Sequence, residues 1–148
     1  MREGLVILCS TVGAFIASQL GGWDLALRTM IVFMAIDYVT GLIVAGVFQK
    51  SKKSNNGTLN SHIGFKGIIK KCMMLLMVLM AYQLDNIIGW DFIRYGVIIA
   101  FVTNELISIL ENACLMGVPI PNVLQQAIGL LKKKGGEDDD ETDNKSKS

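Results

Sequence analysis

Six polar side chains stand in otherwise apolar surroundings: Asp37, Asn104, Glu105, Ser108, Glu111 and Asn112. On a helix Asn104, Ser108 and Glu111 share one face by the i, i+4, i+7 rule, and Glu105, Ser108 and Asn112 occupy the neighbouring track. Arg94 precedes Glu105 by eleven residues, which puts it on nearly the same side about three turns away. An ionised group in the middle of a membrane helix costs ~2.5–3.5 kcal/mol on insertion scales. Such groups must therefore face protein or water, or carry a proton. Carboxylates beside amides and a hydroxyl can bridge helices by hydrogen bonds, or bind protons and cations. The expectation is a polar stripe, with Asp37 beside it, buried between helices of an oligomer and able to line water when those helices reorient.

The elements that must position these groups are long and apolar. Residues 4–49 hold three charged side chains, Asp24, Arg28 and Asp37, and residues 72–131 hold five, Asp85, Asp91, Arg94, Glu105 and Glu111. An average soluble domain carries ~25% charged residues. The remaining charges gather in short places, a segregation that a bilayer imposes because hydrocarbon rejects ions. The reading is all-α and integral to the membrane, with three to four transmembrane helices in a domain over residues 1–134. Spans are expected at about 4–23, 25–48, 72–90 and 92–110. Gly117-Val118-Pro119-Ile120-Pro121 ends the last span. An amphipathic helix over about 122–134 follows, with Leu124, Ala127, Ile128 and Leu131 on one face, suited to the membrane surface. Residues 135–148 read as a disordered charged tail. The first segment is short, and a three-span count follows if it only dips into the membrane. It does not read as a cleaved signal peptide, because Gly21-Gly22-Trp23-Asp24 is a poor cleavage site.

Small residues mark where helices can approach closely in lipid. Gly13, Ala17 and Gly21 recur every four residues, and Gly41 and Ala45 form another such pair. Lys50, Lys52, Lys53, Lys66, Lys70 and Lys71 fill the section 50–71 with no acid among them. They read as a water-exposed loop on the cytoplasmic side, with the C-terminus on the same side. Met73, Met77 and Met80 lie along one helical face and read as packing or lipid contact. Cys9, Cys72 and Cys114 are widely spaced and odd in number, and are expected to be reduced. There is no nucleophile–base pair, phosphate-binding glycine loop or metal-ligand cluster, so no enzyme, cofactor or metal is expected. The net charge of +1 averages a basic section and an acidic tail, and the lysines lack interleaved aromatics, so nucleic acid is not an expected partner.

Three segments carry a resemblance. Asp37-Tyr38-Val39-Thr40-Gly41 resembles the Asp-Tyr-x-Thr-Gly element of the toxin-secretion and phage-lysis holin family. The stretch from Ser61 through Gly64 and Gly67 to Lys70-Lys71 is similar to that family's Ser-x-x-Gly-x-x-Gly segment with its trailing basic pair. Asn104-Glu105-Leu106-Ile107-Ser108-Ile109-Leu110-Glu111-Asn112 with the Gly117 to Pro121 ending resembles its Asn-Glu-x-x-Ser-Ile-x-Glu-Asn and Gly-x-Pro-x-Pro pattern. The resemblance covers about residues 20–131. It implies a small multi-pass phage protein of the host cytoplasmic membrane that forms homo-oligomers. Such proteins open lesions through which an endolysin, a functional partner, reaches the cell wall; some relatives export toxins. The residues alone also fit a small ion channel or transporter using Asp37 and Glu105, or a non-conducting scaffold.

Overall fold

The computed structural model describes residues 2–50 and 61–135, without the side chains of 62, 63 and 131–135. The described residues are helical, with no strand among them. The elements are α1 (Arg2–Gln19), α2 (Leu25–Gly46), α3 (Ser61–Ile88), α4 (Ile93–Leu115) and α5 (Asn122–Gly135). Among the described residues, three helices are long and apolar enough to cross a membrane: Leu25–Gly46, Gly64–Ile88 and Ile93–Leu115. The shortest of these, 22 residues, spans about 33 Å at 1.5 Å per residue, enough for the hydrocarbon layer. The chain is an all-α integral membrane protein.

The three spans meet along buried rows. On α2 the buried row is Leu27, Met30, Met34, Asp37, Val44 and Ala45, with half-buried Gly41 continuing it. On α3 it is Met74, Val78, Ala81 and Asp85, with half-buried Lys71 one step before it. Both rows advance by alternating steps of three and four, the spacing that keeps one seam of a left-handed helix pair facing its neighbour. The buried row of α4 holds Arg94, Ile98, Val102, Glu105 and Asn112. Helix α4 is central, packing against α2, α3 and α5, while α2 and α3 touch each other less. Leu20, Leu27, Met30, Met34, Met74, Val78, Ile98 and Val102 form the apolar core. The opposite faces are apolar too: Val32, Ile36, Val39, Leu76, Met77 and Met80 are all exposed. A helix apolar all round suits a membrane span.

Several boundaries differ from the sequence reading. Helix α1 ends at Gln19, and Gly21 sits in the following turn at φ +88°. Gly21 therefore does not continue the Gly13–Ala17 row along a helix. No residue of α1 is buried, and open space surrounds Gly13. The section 61–71, read as loop, is the first part of α3. The loop reading rested on the lysines of that section, which resemble solvated charge. Gly64 and Gly67 lie within this helical part. In the fold their faces lie against Tyr38 of α2, at 3.6 to 3.8 Å from where a Cβ would sit. Interhelical contact offsets the conformational cost that glycine carries in a helix. Helix α4 runs five residues past its expected end, to Leu115, and stops at Gly117, where φ is +83°. Helix α5 begins at Asn122 as read and packs against α4, with Ala127 and Ile128 half-buried and Val123 and Leu130 exposed. Of the tail read as disordered, 135–148, Gly135 is the last residue of α5 and the remainder lies outside the described residues.

Candidate functional site: an ion cluster across three spans

Asp37, Lys71 and Glu105 come from three different spans and meet in the bundle. The Lys71 ammonium donates to Asp37 Oδ2 at 2.9 Å and also to Glu105 Oε2. The Glu105 side chain is 3% exposed, that of Asp37 8% and that of Lys71 15%. Asn112 extends the cluster along α4. Its amide donates to the Thr40 hydroxyl at 3.0 Å and approaches Asp37 Oδ1 at 3.4 Å. Gly41 faces Asn112, with 3.8 Å between the amide nitrogen and the place of an added Cβ. A side chain longer than alanine at residue 41 would displace that amide. Buried charges require partners of this kind, because a lone ion in hydrocarbon is far costlier than one that is paired and hydrogen-bonded.

A second polar cluster joins the opposite ends of the same helices. Asp24 caps α2 by accepting from the Leu27 amide at 2.9 Å. It also accepts from both terminal nitrogens of Arg94, at 2.6 and 3.2 Å. Arg94 Nε donates to the Leu20 carbonyl, so one guanidinium ties the α1–α2 turn to the start of α4. The hydrogen bonds from Arg94 hold the Asp24 carboxyl below its ordinary pKa, against the opposing effect of burial. On α3, Asp85 accepts from the amides of Ile93 and Arg94 at 3.0 and 2.8 Å. A carboxylate from one helix thus satisfies orphan N–H groups at the start of the next. Gly89 at φ +79° makes the tight α3–α4 turn that permits this.

The expected stripe on α4 divides. Glu105 and Asn112 are buried and reach α2 and α3, whereas Asn104 and Glu111 are exposed and Ser108 is half-buried. Adjacent helical positions diverge by about 100°, so the two tracks face different neighbours. Ala45 is buried and Gly41 half-buried on α2; Ala17 is half-buried on α1, and Gly13 is exposed. Lys50, Lys66 and Lys70 are exposed, while Lys52 and Lys53 lie outside the described residues. Lys71, read as one more loop lysine, is instead the cation at the centre of the cluster. Its signal in the sequence was the row Lys71, Met74, Val78, Ala81, Asp85, whose alternating spacing marks the inward face of α3. Among the described residues no His, Cys, Asp or Glu group is arranged to hold a metal ion. The three cysteines are free and exposed.

The three segments that carried the resemblance converge on this cluster. Asp37, Tyr38, Thr40 and Gly41 come from the first, Gly64, Gly67 and Lys71 from the second, and Glu105 and Asn112 from the third. The family model described as the bacteriophage holin family matches residues 14–133. An uncharacterised protein of Listeria monocytogenes is 39% identical over 132 residues, covering 88% of this chain and 89% of its own length. One from Clostridium perfringens is 39% identical over 140 residues, covering 89% of this chain and 96% of its own. A protein of Bacillus phage phi105, described as a probable holin, is 28% identical over 107 residues, or 72% of this chain and 73% of its own. No solved structure matches the chain. With the family pattern running through all three spans, the chain belongs to the bacteriophage holin family.

Proposed function

We propose that this protein oligomerises in the cytoplasmic membrane of a bacterial host and opens lesions through which an endolysin, or in related systems a toxin, leaves the cytoplasm. The observation that carries the reading is the family match over residues 14–133, on a chain with three candidate spans. The endolysin is a functional partner, not a docked one. The basic connection that leads into the span Gly64–Ile88 and the C-terminus face the cytoplasm, by the excess of lysine on that side. The Asp37–Lys71–Glu105 cluster holds the three spans of each copy together before opening. In low dielectric the ions bind one another strongly, yet they are readily exchanged for water once the spans part.

Size-resolved leakage from liposomes containing the purified protein tests this reading. Release of large dextrans together with small ions is the expected result. Passage of ions alone would instead indicate a channel or transporter using Asp37 and Glu105. A scaffold would release neither.

A further inference from the structure

Once Glu105 and Asn112 are satisfied inside the chain, the outer track of α4 is left over. Asn104, Ser108 and Glu111 lie within a span, Ile93–Leu115, and Asn104 and Glu111 are exposed. Hydrocarbon offers no hydrogen bonds to such groups, so the membrane favours a polar partner for them. Helix α3 carries the complement. Lys66 and Lys70 are exposed within the span Gly64–Ile88. Among the described residues, Lys71 and Arg94 supply the cations of the salt bridges, and Asp24, Asp37 and Glu105 the acids. Among the described residues, neither Glu111 nor the two outward lysines is paired.

Depth matches as well as charge. Lys71 is level with Glu105, because the two are bonded. Successive spans run in opposite directions. Moving six residues along α4 from Glu105 to Glu111 therefore descends about 9 Å, and moving five along α3 from Lys71 back to Lys66 descends about 7.5 Å in the same sense. Lys66 and Glu111 thus lie at nearly one depth, on different helices of the same chain.

We propose that the occupant of the α4 outer track is a second copy of this chain, docked through the lysine-bearing face of its α3. Lys66 of one copy meets Glu111 of the next, and Lys70 lies nearer Asn104. The contact is head-to-tail, since the two patches differ, and a head-to-tail contact closes into a ring when its rotation allows. This inference rests on the oligomeric reading above and specifies its interface.

Cysteine pairing in liposomes tests it. In a background with Cys9, Cys72 and Cys114 changed to serine, one preparation carries Lys66→Cys and another Glu111→Cys. Co-reconstitution followed by mild oxidation is expected to give a disulfide-linked dimer that neither preparation gives alone. Charge swaps supply a second readout, by counting subunits from photobleaching of labelled protein. Lys66→Glu or Glu111→Lys alone should reduce the fraction of assembled protein, and the two together should restore it. Multimers that form without the 66–111 link and ignore the charge swap would overturn this interface while leaving oligomerisation intact. A 66–66 or 111–111 link in place of the mixed one would overturn the head-to-tail geometry. Copies that stay single at lesion-forming density would overturn both readings.

Discussion

Lys71 on α3 donates to Asp37 on α2 across 2.9 Å, and its remaining hydrogens reach Glu105 on α4. One ammonium thereby fixes the depth and rotation of three spans relative to one another. Apolar packing alone would not do this, since a Leu or Val row can slide by a turn against lipid-like neighbours at small cost, whereas an ion pair in low dielectric cannot.

Loss of that ammonium leaves two carboxylates facing each other. Lys71→Met is expected to destabilise the bundle by about 3 kcal/mol, the scale for removing one partner of a buried pair. Lys70→Met, one residue earlier and exposed, is expected to change it by less than ~0.5 kcal/mol. Unfolding by denaturing detergent, followed by circular dichroism in mixed micelles, compares the two. Equal midpoints would deny Lys71 its place at the centre.

Neutralising either acid keeps one partner for Lys71 but alters the tie between spans. Asp37→Asn and Glu105→Gln should both shift the onset or extent of membrane permeabilisation. Met77→Leu, a volume-conserving change on an exposed face, should not. Timed dye release from liposomes, or lysis curves on expression, provides the check. Three traces that overlay the parent would remove the cluster from the opening process.

The turn between α1 and α2 makes a separate demand. Gly21 has φ +88°, and a Cβ there would stand 2.6 Å from Arg94 Nε and 2.8 Å from a Tyr82 ring carbon. Gly22 has φ +95° with open space around it. Gly22→Ala should cost only the left-handed backbone penalty, ~1–2 kcal/mol. Gly21→Ala should cost more, because the Arg94 guanidinium must also move. Comparing the thermal midpoints of the two variants in detergent decides this, with Gly21→Ala expected lower.

The Asp24–Arg94 pair sets an acid limit on the same joint. Because Arg94 lowers the Asp24 pKa in the folded state, the contribution of this pair is fully present above the unfolded carboxylate value of ~3.9. It disappears as pH falls through the lower folded value. Acidification through that window should therefore destabilise the parent more steeply than Asp24→Asn, which has no carboxyl to protonate. Melting curves over a pH series would show it, and parallel pH profiles for both proteins would contradict it.

Much of the architecture could be read from the chain itself. Charge segregation marks the spans, because lipid excludes ions wherever they fall, and Gly117 and the two prolines mark the end of the last span through local chemistry alone. Asp37 and Glu105 stood out for the same reason, as ions in apolar surroundings. Lys71 did not, because a lysine among lysines at a span end resembles solvated charge. Gly64 and Gly67 were hidden likewise, since nothing nearby in sequence shows that Tyr38 lies across them.

What the tertiary structure decided is which partner each group has. Spans that are apolar on every side carry little record of which side turns inward. Division of the α4 stripe into Glu105 and Asn112 inside and Asn104 and Glu111 outside therefore required the neighbouring helices to be placed. The sequence by itself determined that the chain lives in a membrane and where its ions lie along each helix. Only the packed bundle determined which ions meet, because pairing depends on helix rotation and depth, and contacts between residues far apart in the chain set both.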